Sequence, residues 1–466
     1  MITAEHEFLT SQSPERTLLR HLAACRFEPR TAIAGRPLRL LLAGYSGAGN
    51  VGAEMRTAEI RRQISALLGT RVAFHALSTS SSLPPDTLPR VKCVPLAGYL
   101  PATLQAAVDD VDAVVACEGS MFKSTFSNVL SGVMACALGG ARRAGKLAVG
   151  YGAEIGAMDD VLEPFVRESV GDALVLCRND ESLRRGLGLG LRAELGADTA
   201  WSFDAASRED SAHTLKRLGW NGVSPIVAVC PINPFWWPVR PFPSLRVTAA
   251  NRHLHYGSIF FHAHSGARQH AYRVYLVQLA EAVQAIATAR GAFVLVVAME
   301  RVDRIACNEL SALLSVPCAK LVGADYPVRI VVGALRLAAL LLSSRFHALV
   351  GAMPGHVPSI GVSMDERIAN LLRTEPERVL SASSPTLARD IVQACEELDP
   401  ARVAAHSTEC VRLGLRLQAH MGRRFVEELR CIYPDFDVPD PAQPQLSRAW
   451  LPRLSPVLEP FLEDDS

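Results

Sequence analysis

Apolar and polar residues follow one another along this chain in blocks of two kinds. Short aliphatic runs, such as residues 39–44 (RLLLAG), precede longer segments with apolar residues at every third or fourth position, as at 53–68 (AEMRTAEIRRQISALL). The runs predict buried strands, and the longer segments predict amphipathic helices. Because the two kinds alternate as far as residue 205, we expect a parallel sheet with right-handed crossovers there.

A second strand–helix series begins at residues 224–231 (SPIVAVCP) and continues through the apolar runs at 292–299 and 337–344. The fold class predicted is α/β, with two Rossmann-like domains that face each other across a cleft. We divide the chain into an N-terminal helical extension (1–36), an N-terminal domain (37–205), a C-terminal domain (206–399), and a C-terminal segment (400–466). The last comprises a helix from about Pro400 to Cys431 and a proline-rich tail, which is expected to lie on the surface.

Composition narrows the functions to consider. The net charge is only +1, so the overall charge of the chain does not attract nucleic acid or an acidic membrane. An anion must therefore be bound by local arginines. Eleven scattered cysteines without a C-x-x-C pair predict buried free thiols in a reducing compartment. The first residues lack the apolar core of a signal peptide, and the most lipophilic stretch, 331–353, contains two arginines and a histidine. A cytoplasmic protein without a transmembrane segment is expected.

The first candidate binding element is the loop at residues 44–52 (GYSGAGNVG), between a strand and a helix. Its glycines, among them Gly47 and Gly49, would let the backbone approach a ligand, and the helix amino terminus would offer N–H groups to an anion or a sugar hydroxyl. An ordinary tight turn explains the pattern equally well. The spacing G-x-x-G-x-G-N-x-G differs from the dinucleotide fingerprint.

Further candidates follow the predicted strands, where open α/β sheets bind ligands. Glu118 and Ser120 follow one strand, Arg178 follows another, and Arg345 and His347 follow the run 340–342. Strand-like alternation would place Arg345 and His347 on one face. A guanidinium grips phosphate or carboxylate at two points, and an imidazole can donate a proton. The plain alternatives are a solvated turn, a helix cap, and a surface salt bridge beside a core histidine.

Taken in order, these elements resemble the polysaccharide pyruvyl transferase family over residues 38–372. The family's G-x-x-G-x-G-N-x-G-D-E is matched by GYSGAGNVGAE, its glycine turn with a following aromatic by residues 118–122, and its R-D-x-x-S by 178–182. Its R-x-H-A is matched by 345–348, its V-P-x-I by 357–360, and its next-loop lysine by Arg367. The chain departs from the family pattern at Ala48, Ala53, Glu118 and Asn179.

The resemblance implies a GT-B-like enzyme that transfers pyruvate from phosphoenolpyruvate to two hydroxyls of a sugar-containing acceptor, forming a cyclic ketal and releasing phosphate. Arg178 and Arg345 would bracket the donor from the two domains, and His347 would be a general acid or phosphate partner. Glu118 would be a general base or acceptor ligand. Substrate-binding roles would fall to Gly47, Gly49, Asn50, Ser120 and Arg367. No cofactor and no metal is required.

An insert (residues 232–270) separates the first strand of the second series from its helix. It contains Trp236, Trp237 and five histidines. The tryptophans suit stacking on a sugar, so we expect a mobile lid over the acceptor. A metal site at the H-x-H spacings is a weaker interpretation than the lid, because no carboxylate or cysteine completes a ligand set. Two other functions stay open: a nucleotide-sugar glycosyltransferase of GT-B type, although no acidic ribose-binding element is found, and a non-catalytic sugar-binding relative.

Overall fold

A computed structural model of the protein describes residues 2–33, 35–96 and 100–462. Seven strands of its N-terminal half form one parallel sheet in the order β3-β2-β1-β4-β5-β6-β7. They are β1 (Leu38–Ser46), β2 (Val72–Ser78), β3 (Lys92–Pro95), β4 (Ala113–Ala116), β5 (Leu147–Ala153), β6 (Leu174–Cys177) and β7 (Ala193–Leu195). The helices before and between them are α1 (Ile2–Thr10), α2 (Pro14–Ala23), α3 (Val51–Leu68), α4 (Leu100–Asp109), α5 (Asn128–Arg143), α6 (Leu162–Ser169) and α7 (Asp180–Gly188).

The central strand β1 shows why the strands of this sheet are continuous apolar runs in the sequence. Leu40 and Leu42 pack into a hydrophobic cluster on one face, and Leu41 and Ala43 pack into a different cluster on the other. Because successive side chains of a strand point to opposite faces, a strand covered on both sides must be apolar at every position.

A second parallel sheet follows in the order β13-β12-β8-β14-β15-β16. Its strands are β8 (Ile226–Cys230), β12 (Phe293–Ala298), β13 (Cys318–Val322), β14 (Leu340–Ser343), β15 (Ser359–Ser363) and β16 (Val379–Ser381). The insert forms a small antiparallel sheet from β9 (Arg240–Pro241), β10 (His255–Gly257) and β11 (Phe260–Phe261). The remaining helices are α8 (Arg208–Arg217), α9 (Gly266–Arg290), α10 (Arg304–Leu313), α11 (Val328–Arg336), α12 (Phe346–Ala352), α13 (Glu366–Leu371), α14 (Leu387–Glu396) and α15 (Pro400–Ile432).

The predicted architecture of two Rossmann-like α/β domains is confirmed. The exact boundaries stay a prediction, although α8, just after residue 205, packs on α11 of the second sheet, and Ala206 N donates to Arg329 O at 2.9 Å. Among the helices that the structure describes, none is long and apolar enough to cross a membrane.

The two ends of the chain pack on the N-terminal domain. Helix α2 lies against α5, where Gly132 leaves room for Leu19. Helix α15 spans the length predicted and returns to the first domain, where Gly414 faces the ring of Trp201. The prediction that the proline-rich tail lies on the surface is wrong for Trp450 and Leu458, which are buried in the largest hydrophobic cluster. Apolar side chains at irregular spacing can still fill a core without forming a helix or strand.

Candidate active site between the two sheets

The glycine-rich loop after β1 contacts the second domain directly. Val51 N donates to Met299 O at 2.8 Å, and Arg301 N donates to Gly49 O at 3.2 Å. Asn50 Oδ1 accepts from Ala53 N at 3.0 Å. The expectation of free N–H groups at the start of α3 is therefore wrong for Val51 and Ala53, because a carbonyl of the other domain and the Asn50 side chain already bind them.

Glycine is required in this loop for conformation and for space. Gly47 and Gly49 have φ of +77° and +69°, which residues with a side chain rarely adopt. A Cβ on Gly49 would lie 3.0 Å from Ala324 Cβ of the second domain, whereas one on Gly47 would meet Ser78 and Ser80 of the first. Gly49 thus permits the interdomain contact, and Gly47 shapes the turn.

Between the two sheets lies a cavity of about 420 Å³, part of it open to solvent, which we name the cleft cavity. It brings together seven of the residues predicted from sequence. Its lining is Asn50, Gly52, Ala53, Glu118, Gly119, Ser120, Arg178, Met299, Arg345, Phe346, His347 and Arg367. Gly47, Gly49, Trp236 and Trp237 lie outside this lining.

The side chains reach the cleft cavity from strand ends of both domains. Glu118 follows β4 and Arg178 follows β6, whereas Arg345 follows β14. The expectation that Arg345 and His347 alternate along a strand is wrong, because β14 ends at Ser343 and α12 begins at Phe346. Arg345 caps that helix and His347 lies in its first turn, which still directs both residues to the cavity.

Asp198, which the sequence analysis missed, joins the two domains. Its Oδ2 accepts hydrogen bonds from Arg56 Nη1 at 3.3 Å, Arg178 Nη1 at 3.2 Å, and His347 Nε2 at 3.3 Å. Burial raises the pKa of this carboxyl, but the neighbouring Arg56, His347 and Arg178 outweigh burial and hold the pKa well below its usual range. Asp198 is therefore a carboxylate shared by both domains.

Arg56 lies behind the cavity wall and is fully buried. Its Nη2 donates to Tyr151 O at 3.0 Å and to Gly152 O at 2.9 Å. A Cβ on Gly119 would come within 2.5 Å of Arg56 Nη1 and 3.1 Å of Arg178 Nη1. The glycine of the strand-end turn therefore makes room for two guanidinium groups.

His347 is held in one orientation by Asp198 and Gly52. Burial lowers the pKa of this imidazole, and Asp198 only partly offsets the effect. Because Asp198 is ionised, Nε2 of neutral His347 must carry the proton, which leaves Nδ1 as an acceptor. A Cβ on Gly52 would overlap Nδ1 and lie 2.5 Å from Cγ, so this glycine is needed for the ring position.

Each arginine of the cleft cavity forms ion pairs with carboxylates. Arg345 Nε donates to Asp303 at 2.8 Å and its Nη2 to Glu300 at 2.9 Å. Burial lowers the pKa of Arg345, but Asp303 and Glu300 outweigh it and raise the pKa far above its normal value. Arg345 Nη1 has no hydrogen-bond partner among the described residues. Arg345 is therefore charged, with one N–H edge left for a ligand.

Arg178 and Arg367 complete the set of cavity guanidinium groups. Arg178 pairs with Glu154 and Asp198 and lies 4.3 Å from the ring centroid of Phe346. Burial lowers its pKa to about 10, so it stays charged. Arg367 donates through Nε to Asp365 at 2.9 Å, and its two Nη groups have no hydrogen-bond partner within the described part of the chain. Of the three, Arg367 keeps the most donors for a ligand.

Lys123, also missed from sequence, makes a second ionic link between the domains. Only 1% of it is exposed, and its Nζ lies 3.1 Å from Asp365, 3.0 Å from Glu366 and 3.5 Å from Glu154. The only sign of it in the sequence is a lone lysine in SMFKSTF, just past the end of β4.

Glu118 lines the cleft cavity. Burial raises the pKa of its carboxyl, and Ser120 N donates to its Oε1 at 3.5 Å.

The insert is anchored to both domains. Trp237 is buried in a cluster with Ile232 and Val239 and packs edge-on against Phe126 at 5.2 Å, and Tyr256 Oη donates to Glu300 Oε1 at 3.0 Å. A sugar platform at Trp237 is contradicted, because neighbouring side chains already cover that ring. The partly exposed Trp236 stacks on His262 at 4.6 Å. Among the residues described, no group of three or more metal-ligating side chains is close enough to hold an ion.

Comparisons with known proteins agree with this architecture. The family model of polysaccharide pyruvyl transferase matches residues 60–366, and the chain belongs to that family. No curated protein matches the sequence significantly.

Solved structures resemble the fold at low sequence identity. A structure described as a UDP-N-acetylglucosamine 2-epimerase from Listeria monocytogenes has a TM-score of 0.52 at 9% identity, covering 86% of this chain and 98% of its own. The S. aureus MnaA–UDP co-structure gives 0.53 at 9% identity, over 86% and 99%. These likenesses show a shared GT-B-type fold.

Asp198→Asn should destabilise the protein, because Arg56 and Arg178 would then be buried with too little negative charge. We expect a loss of about 3–5 kcal/mol in the free energy of unfolding, measured in urea. The control is Asp160→Asn, which breaks an exposed pair with Arg16 and should cost no more than about 1 kcal/mol. Equal effects of the two substitutions would contradict the role of Asp198.

Acid should destabilise the insert through His262, of which 5% is exposed. Burial lowers the pKa of this imidazole from 6.5 to about 4, so the unfolded chain binds the proton more readily. The stabilisation present above the unfolded pKa is lost as the pH falls toward 4. Between about pH 7.5 and about pH 5 the loss amounts to about 2 kcal/mol.

The His262 effect is measured as the difference in acid sensitivity between wild type and His262→Phe in urea unfolding. His264→Phe, at a neighbouring exposed position, serves as the control and should keep the wild-type dependence. A His262→Phe protein as acid-sensitive as wild type would show that this imidazole is not the titrating group.

Proposed function

We propose that this family member transfers pyruvate from phosphoenolpyruvate to two hydroxyls of a sugar-containing acceptor, giving a ketal and phosphate. One observation carries the proposal: guanidinium N–H groups of Arg345 and Arg367 have no partner among the described residues, and they line one cavity together with His347 and Glu118. The family membership supplies the pyruvyl chemistry, and the cavity supplies groups that suit this donor.

Phosphoenolpyruvate carries a phosphate and a carboxylate, so it needs cations at two points. Arg367 can offer two Nη groups and Arg345 one, while the carboxylates on their other edges fix the orientation of both. Guanidinium forks suit planar and tetrahedral anions because they donate in pairs. Arg178, held behind them by Glu154 and Asp198, adds positive charge from the first domain.

The environments of Glu118 and His347 support a division of the proton transfers between them. Burial raises the pKa of Glu118 and lowers that of His347. A carboxyl with a raised pKa suits a general acid, and an imidazole with a lowered pKa suits a general base. Glu118 would donate its proton to C3 of phosphoenolpyruvate, and neutral His347 would accept at Nδ1 the proton of an acceptor hydroxyl. The family resemblance implied other roles, with His347 as general acid or phosphate partner and Glu118 as general base or acceptor ligand.

The bonds then balance as follows. Protonation of C3 turns the methylene into a methyl group and leaves positive character at C2, to which the first acceptor oxygen bonds. The C2–O bond to phosphate breaks, and the second acceptor oxygen bonds to C2. His347 then holds the proton of the first hydroxyl, and its return through solvent to Glu118 replaces the proton given to C3. The proton of the second hydroxyl leaves with phosphate.

Arg367→Gln should weaken phosphoenolpyruvate binding while the protein stays folded, because Asp365 keeps Lys123 as its partner. The expected loss is about 10- to 100-fold in affinity, the range for hydrogen bonds to a charged group. Calorimetry measures it, with exposed Arg373→Gln as the control of equal charge. Unchanged affinity in Arg367→Gln, or tighter binding of a UDP-sugar than of phosphoenolpyruvate to wild type, would contradict the proposal.

The pH profile of kcat should be bell-shaped, rising as His347 loses its proton and falling as Glu118 loses its own. Glu118→Gln and His347→Gln should each lower kcat by about 10²–10⁴-fold. Residual activity of Glu118→Gln should lack the alkaline limb, and that of His347→Gln should lack the acidic limb. Loss of the opposite limb in each variant would mean that the roles of acid and base are reversed.

A further inference from the structure

Charge is unevenly distributed along this nearly neutral chain. Residues 211–280 contain no aspartate and no glutamate, although the whole chain has 47 acidic residues. The same stretch contains seven basic residues: Lys216, Arg217, Arg240, Arg246, Arg252, Arg268 and Arg273. The net charge of +1 therefore hides a strongly basic segment, and four of these arginines belong to the insert.

Large apolar side chains are exposed beside the arginines of the insert. Phe242, Leu245 and Val247 are 45%, 46% and 43% exposed, and they lie within six residues. We name residues 242–252 the docking loop. Clusters of exposed apolar residues of this kind mark interaction surfaces in proteins that are otherwise well packed.

Hydrogen bonds fix the conformation of the docking loop. Phe242 N donates to Ile259 O at 2.7 Å and Leu245 N to Phe242 O at 3.0 Å. Asn251 Oδ1 accepts from Thr248 N at 2.7 Å, and its Nδ2 donates to Arg246 O at 3.0 Å. The apolar side chains are thus displayed by a shaped loop.

The two arginines of the docking loop are not neutralised within the described structure. Arg246 and Arg252 are exposed, and neither forms an ion pair with another described residue. Glu15 interacts electrostatically with Arg240, which lies outside the loop. Unopposed guanidinium groups beside protruding phenylalanine and leucine match a surface that is anionic outside and apolar beneath.

We propose that the docking loop binds the surface of an anionic lipid bilayer, with Arg246 and Arg252 at the headgroups and Phe242 and Leu245 in the interfacial layer. The loop belongs to the insert whose Tyr256 contacts Glu300, the partner of Arg345. Docking would hold the cleft cavity near the membrane, which suits an acceptor sugar carried on a lipid. This last consequence rests on the proposed function, whereas the docking itself does not.

The test measures co-sedimentation of the full chain with vesicles of phosphatidylcholine alone and of phosphatidylcholine mixed with phosphatidylglycerol. Wild type should bind the mixed vesicles and not the neutral ones. Arg246→Gln combined with Arg252→Gln should weaken binding about 25-fold at low salt, because each basic residue near an anionic surface usually contributes about fivefold. The charge-matched control, Arg217→Gln with Arg448→Gln, removes two cations outside the insert and should bind as wild type does.

Apolar variants test the loop independently of charge. Phe242→Ser with Leu245→Ser should weaken binding, whereas Leu187→Ser with Val223→Ser, also exposed but outside the insert, should not. Thermal unfolding checks that each variant is folded. The proposal is overturned if the mixed vesicles do not bind, if the control pairs weaken binding as much as the loop pairs, or if the basic segment binds heparin or nucleic acid in preference to vesicles. Because no donor is present, these outcomes are independent of pyruvyl transfer.

Discussion

The site depends on a single buried carboxylate. Asp198 belongs to the N-terminal domain, yet one of its oxygens accepts from Arg56, Arg178 and His347, and His347 comes from the other domain. A charge so enclosed is tolerated only when it is well paired. The same three contacts keep Arg178 charged at the cavity wall and fix the tautomer of His347, so the electrostatics of the cavity and the relative placement of the domains have a common origin.

Each arginine of the cleft cavity is paired with carboxylates, but these pairs do not use all of its N–H donors. Arg345 and Arg367 keep Nη groups without a hydrogen-bond partner in the described part of the chain. This arrangement limits the cost of burying charge while keeping N–H donors fixed in position. Pre-oriented donors need not reorganise when an anion enters, which is the main way that a buried polar site favours one ligand geometry.

The sequence was enough to predict the strands and the candidate residues at their carboxyl ends. Buried parallel strands are apolar at every position, and ligands bind at the carboxyl ends of such strands. Glu118, Arg178, Arg345 and His347 were found in this way, and Arg367 was found through the family resemblance. Asp198, Arg56 and Lys123 were not, because each is an isolated polar residue whose partners lie far away in the chain, as Lys123 and Asp365 do. Helix α11 was missed for a different reason: its sequence, VRIVVGALR, is short and rich in β-branched apolar residues, so its apolar run resembles that of a buried strand.

The return of α15 and the tail to the N-terminal domain has a consequence for synthesis on the ribosome. Leu415, Trp450 and Leu458 belong to the same hydrophobic cluster as Leu40 and Leu42 of β1. The first domain therefore emerges without part of its core, and the missing side chains follow only after the second domain has been made. At the usual rates of translation this interval lasts on the order of tens of seconds. During that time the nascent N-terminal sheet has an uncovered apolar face, which is the kind of surface that general chaperones bind.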